Sequence, residues 1–142
     1  MENNSHHTIY GINNCISYLK SDLFLESSII TINNKSVASK HEELLVLLSQ
    51  LNNVKYFSPE KFNSKFNFKH DQGIVIAFKG PLTKEINDIN HFSENSCYLI
   101  CDQINDPQNL GQILRTSECA GIDGIILPKH GSVHITDSVI QV

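Results

Sequence analysis

The sequence predicts an α/β protein in two pieces, on three observations. Short β-branched runs (IITI at 29–32, GIVIAF at 73–78, YLICD at 98–102 and GIIL at 124–127) alternate with helical patterns. A polar stretch containing Gly80-Pro81, KGPLTKEINDINHFSENS, separates the first group of elements from the second. The strand–loop–helix–strand spacing of the second group is that of a right-handed crossover between parallel strands. The expected layout is an unstructured terminus at 1–8 and a small domain at 9–79 with a three- or four-stranded sheet. A linker at 80–96, with room for one helical turn, then leads to a second unit at 97–142.

The elements follow in order. INNCISYLK, 12–20, spaces Ile12, Ile16 and Leu19 for a short helix, and IITI is a strand ending at the Asn33-Asn34 turn. In SKHEELLVLLSQL, Ser39 and Glu42 have the spacing of a capping box, and Leu44, Leu45, Leu47, Leu48 and Leu51 form a wide apolar face for the core. VKYF, 54–57, is a strand, and Ser58-Pro59 caps and opens a helix over 59–64. GIVIAF is a buried strand. After YLICD, Asp106-Pro107 caps and opens a helix that runs to about Ala120 and stops at Gly121; GIIL is the parallel partner strand. HITDSVIQV, 134–142, begins a further helix.

Composition narrows the function. Hydrophobic residues at 40% and charged residues at 18% suit a packed core. A net charge of -4 excludes a protein that grips nucleic acid by overall charge, so any RNA contact must be local. One such region exists: Lys55, Lys61, Lys65, Lys69 and Lys79 stand against only Glu60 and Asp71. Tyr56, Phe57, Phe62, Phe66 and Phe68 interleave with them, a pattern that serves either core packing or base stacking. No run approaches the roughly 20 apolar residues of a membrane span, and MENNSHHT lacks the apolar centre of a signal peptide, so a cytoplasmic location is expected. Cys15, Cys97, Cys101 and Cys119 are expected as reduced thiols. No metal site is expected: Cys97 and Cys101 lack a second pair, and His130 and His134 flank the loop at Gly131. His6 and His7 receive no role.

The segment DPQNLGQILRTSECAGIDGIIL, 106–127, holds the single arginine of a chain with ten lysines. Arginine differs from lysine in offering a planar, permanently charged fork of donors. Gly111 and Arg115 are four apart in the helix, so the arginine leans back over a position without a side chain, and Asn109 lies in the first turn. Asn109, Gly111 and Arg115 could thus form a pocket for a phosphate or a ribose oxygen. The competing reading pairs Arg115 with Glu118 at i+3 on a wet surface. The loop lacks the G-x-G-x-x-G of a dinucleotide site.

Asp106-Pro107-x-Asn109-Leu110-Gly111-x-x-x-Arg115-Thr116 resembles the first signature motif of the SpoU (TrmH-like) RNA methyltransferases, and Ala120-Gly121-x-x-Gly124-Ile125-Ile126-Leu127-Pro128 resembles its continuation. Tyr10-Gly11-Ile12 and His70-Asp71-Gln72-Gly73-Ile74-Val75 resemble that family's N-terminal substrate-binding domain, with Asp71 standing between a His and a Gln that the family commonly joins directly. The resemblance, from about residue 9 to the end, implies a small N-terminal α/β RNA-binding domain followed by the first β-α-β unit of a knotted SPOUT domain. It implies transfer of a methyl group from S-adenosylmethionine to a ribose 2′-oxygen of ribosomal or transfer RNA by a homodimer. Asn109 and Arg115 take the positions of the first-motif catalytic pair, and Lys61, Lys65, Lys69, His70 and Gln72 are the candidate RNA contacts. The motifs that bind the cofactor lie farther along the family's sequence than Val142. No cofactor-binding residue is therefore expected here, and the chain is expected to be the N-terminal portion of the enzyme, inactive alone, cut before the knot. The alternative is an RNA-binding module without catalytic activity.

Overall fold

A computed structural model describes residues 6–88 and 94–141. The chain divides into two compact units, 1–80 and 81–142.

The first unit is built on β1 (His6–Tyr10), α1 (Ile12–Lys20), β2 (Ile29–Asn33), α2 (Glu42–Ser49), β3 (Val54–Phe57), α3 (Pro59–Lys65) and β4 (Ile74–Lys79). Its four strands lie in the order β1-β4-β2-β3; β4 runs antiparallel to both neighbours, and β2 and β3 are parallel. Ile30, Thr31 and Ile32 of β2 and Ile74, Val75 and Ile76 of β4 are all buried. Successive strand residues point to opposite faces, so unbroken burial means that both faces of the sheet are covered. Ile12, Cys15 and Ile16 of α1, Leu44 and Leu48 of α2 and Phe62 of α3 supply that cover.

Two expectations change. β1 begins at His6, inside the stretch expected to be unstructured; residues 1–5 lie outside the described residues. His7 is buried, its Nε2 is 3.1 Å from the Gly80 carbonyl, and its ring lies 5.4 Å from that of Phe78, so it has a structural role after all. The strand forms because β4 offers an open edge, a long-range effect no local pattern carries. Ser39 does not cap α2 either. It sits in a 3-10 turn, Ala38–Lys40, and His41 takes the cap position, its Nδ1 accepting the Leu44 amide at 3.5 Å. Elsewhere the local signals hold: Ser58 accepts the Lys61 amide and Pro59 opens α3.

The second unit holds a 3-10 turn at Ile86–Asp88, then β5 (Tyr98–Ile100), α4 (Pro107–Cys119), β6 (Gly124–Ile126) and α5 (Asp137–Ile140). β5 and β6 pair in parallel across the α4 crossover, with Leu99 opposite Ile125. The ends of this pair are tied by Asp123, whose carboxylate accepts the Cys97 amide at 2.8 Å and whose amide donates to the Cys97 carbonyl at 2.9 Å. Leu110 and Val139 are its most buried aliphatics.

Thiol chemistry should separate the cysteines. Cys97 and Cys119 are exposed, whereas Cys15 and Cys101 are buried, and burial pushes the Cys15 thiol well above its ordinary range. Brief iodoacetamide treatment of the native chain at mildly alkaline pH should label Cys97 and Cys119 at least about tenfold faster than Cys15. Mass spectrometry of the digest reads the result; equal labelling of Cys15 would mean that α1 is not seated as described.

Candidate active site and RNA-contact face

α4 starts as the local chemistry dictates. The Asp106 side chain accepts the Gln108 amide at 2.9 Å and Pro107 occupies the first turn. The helix closes in a Schellman arrangement: Gly121, at φ +72°, donates to Glu118, and Ile122 donates to Ser117 at 3.0 Å. Leu110 and Ser117 face inward. Asn109 and Arg115 are exposed, and among the described residues neither side chain makes a hydrogen bond or ion pair. The alternative pairing of Arg115 with Glu118 is therefore not formed. Their separation of six residues places them about 120° apart around the axis, so they do not share a face. A ligand touching both must lie toward the N-terminal end, where the arginine side chain leans. Gly111, expected to leave an open notch beneath Arg115, is instead buried.

One feature of this region was not legible beforehand. Gln103, in the loop from β5 to α4, holds φ +55°, a left-handed conformation uncommon for a residue with a side chain. That loop leaves the carboxyl end of β5, where open α/β sheets place ligands. No sequence signal marks Gln103, since glutamine has no preference for that conformation.

Two lysines of the lysine-rich region are brought together. Lys61 Nζ stands 4.2 Å from the centre of the Phe57 ring, and Lys65 Nζ lies 5.8 Å from Phe57 and 5.4 Å from Phe66. Glu60, the one carboxylate of α3, is held below the usual carboxylate range by its own backbone amide and by the Ser58 hydroxyl. Lys69, His70 and Gln72 are exposed in the loop before β4. Gln72 has a structural task as well: its Oε1 accepts the Ile12 amide at 2.8 Å, capping the start of α1. Of the interleaved aromatics, Phe62 is core, Phe57 and Phe66 are half-buried, and Tyr56 and Phe68 are exposed. Core packing therefore accounts for only part of the set. Among the described residues no group of three or more His, Cys, Asp or Glu is placed to hold a metal, and no helix is long and apolar enough to cross a membrane.

This architecture and motif resemble those of SpoU/TrmH-like RNA methyltransferases. The model of the SpoU rRNA Methylase family matches residues 96–142. Over 96% of the chain and 55% of the relative's length, it is 28% identical to YacO of Bacillus subtilis, a protein assigned by name to the TrmH family of tRNA/rRNA methyltransferases. It is 29% identical to the MG252 homolog of Mycoplasma pneumoniae, named as a tRNA/rRNA methyltransferase, over 85% of this chain and 53% of that one. The rRNA methyltransferase of Sinorhizobium meliloti superposes with a TM-score of 0.67 at 22% identity, covering 96% of this chain and 49% of the other. The SpoU methyltransferase AviRb of Streptomyces viridochromogenes, solved in complex with the cofactor AdoMet, gives 0.66 at 15% identity, covering 95% and 49%. The chain is thus SpoU/TrmH-like in sequence and fold, and it spans about half the length of the curated relatives it matches.

Proposed function

We propose that these residues serve an S-adenosylmethionine-dependent methyltransferase that modifies a ribose 2′-oxygen of ribosomal or transfer RNA. In this reading they provide the N-terminal, RNA-holding portion and the first-motif helix. The observation that carries the proposal is Arg115, unpartnered among the described residues, on the crossover helix of a SpoU-like segment, with Asn109 in the first turn. A ribose hydroxyl is a poor nucleophile until negative charge can build on its oxygen. A guanidinium stays protonated up to about pH 12 and beyond, so Arg115 acts not as a base but as a fixed charge that holds that oxygen or the adjacent phosphate. Asn109, at the donor-rich end of α4, positions the RNA backbone. The cofactor would supply a methyl group on a sulfonium, but the residues in hand do not fit as its cradle. At the end of β5, Ile100 is 71% exposed and Leu99 36%, an open face rather than an enclosure.

The complete enzyme acts as a homodimer in the cytoplasm in this reading, and the 142-residue chain alone is inactive. Titration calorimetry of the chain with S-adenosylmethionine should give no binding heat; micromolar binding would show that a pocket exists within it. The decisive test joins these residues to the remainder of a curated relative and supplies ribosomal RNA and labelled methyl donor. Label in alkali-resistant dinucleotides is the expected result, and label in the bases would overturn ribose as the acceptor. The second reading, an RNA-binding module without catalysis, is favoured by the lysines set on aromatic rings in the first unit, and RNA binding without any methyl transfer by the chimera would establish it.

A further inference from the structure

Four rings of the first unit form a row. Buried Phe62 lies 5.1 Å from Phe66; Phe66 lies 6.4 Å from Phe68, 25° from parallel; and Phe68 stacks on Tyr10 at 4.5 Å and 5°. Exposure rises from none at Phe62, in α3, to 37% at Phe68, which lies outside any helix or strand. A phenylalanine left partly in water there gives up apolar stabilisation that a polar residue would not forfeit.

The segment that follows is held rigidly. His70, Gln72 and Gly73 all have left-handed backbone, at φ 68°, 54° and 83°. Gln72 is tied to the Ile12 amide, and the Asp71 carboxylate accepts the Gly73 amide at 2.8 Å. Strain of this kind persists only where surrounding contacts over-determine it. Lys61 and Lys65 sit against the Phe57 and Phe66 rings, and Lys69 and His70 are exposed beside Phe68 in sequence. The acids of the neighbourhood are engaged locally, Glu60 at the head of α3 and Asp71 within its loop.

Lysines attract the phosphates of a duplex and of a single strand alike, whereas a ring gains contact only with a base whose face is not already stacked in a helix. We propose that the face made by Phe66 and Phe68 with Lys61, Lys65 and Lys69 binds unpaired RNA, with a base on Phe68 and phosphates along the lysines. This rests on the reading of the chain as an RNA-handling protein and names the form of RNA held.

Fluorescence anisotropy with the 142-residue chain tests it, using an oligouridylate of about 10 nucleotides and an RNA duplex of equal length. The single strand should bind about tenfold tighter than the duplex or better. Phe68→Leu should weaken single-strand binding about tenfold and leave the duplex unchanged, while Phe68→Tyr retains it. Lys65→Gln should weaken both and flatten the salt dependence by about one counterion. Equal binding of the two forms, or an unchanged affinity in a folded Phe68→Leu variant, overturns the proposal. The wild-type preference needs no variant and decides the matter even if Phe68→Leu unfolds. Binding of neither RNA would overturn it together with the RNA-handling role of this unit, whereas the site of methylation is read independently in the chimera.

Discussion

Gly73→Ala is expected to destabilise the first unit by about 3–5 kcal/mol. Gly73 holds φ +83°, where an alanine carries about 1–2 kcal/mol of strain. The added Cβ would also lie 2.0 Å from Ser36 Cβ and 2.3 Å from its Oγ, inside any tolerable contact. Ser36 cannot simply turn aside. Its Oγ donates to the Asn33 carbonyl at 2.7 Å and accepts the Ser39 amide, so relief requires moving the loop after β2 away from β4. Three of the four tyrosines lie in this unit, and near-UV circular dichroism during urea unfolding reports on it. In a Ser36→Gly background the Ser36 clash disappears, a 3.3 Å approach to Asn33 Cβ remains, and Gly73→Ala should cost about 1–2 kcal/mol, mostly the backbone share. A loss under about 1 kcal/mol in the wild-type background would mean that the two loops do not meet as described.

Arg115→Lys should lower methyl transfer by about 100- to 1000-fold in the chimera completed from a relative, the scale on which loss of an aimed donor is felt. Folding should be unaffected, because Arg115 is exposed and among the described residues makes no bond whose loss would matter. Lysine keeps the charge and loses the planar fork, so the comparison isolates geometry from charge. If RNA affinity holds and turnover falls, the guanidinium acts on the reacting oxygen or its neighbour. If turnover is unchanged, Arg115 has no place in the mechanism. If affinity alone falls, it is a phosphate contact.

Much of this was legible locally. α1, β2, β3, α3, α4 and the β5–β6 pair lie where periodicity and capping residues place them, because Ser58-Pro59, Asp106-Pro107 and Gly121 act within one turn of themselves. The family resemblance was legible too, since 106–128 is contiguous. What failed was non-local. His7 is buried only because β1 pairs with β4, its Thr8 opposite Ala77. Ser39 has a capping residue's chemistry, but its hydroxyl donates to the Ser36 carbonyl at 2.8 Å in a turn that delays the helix to Glu42. The missing side chain of Gly111 suggests an opening, whereas its burial depends on what surrounds α4.

Taken alone, the chain's order of residues determined where most helices and strands begin and end and which short motif carries the methyltransferase likeness, because capping, turn and periodic preferences are settled within a few bonds. Folding decided the rest: that Gln72 reaches back 60 positions to Ile12, that Phe68 stacks on Tyr10, and that Gly111 is buried. Those facts depend on which distant surfaces share a core, and burial acts through space without regard to distance along the chain.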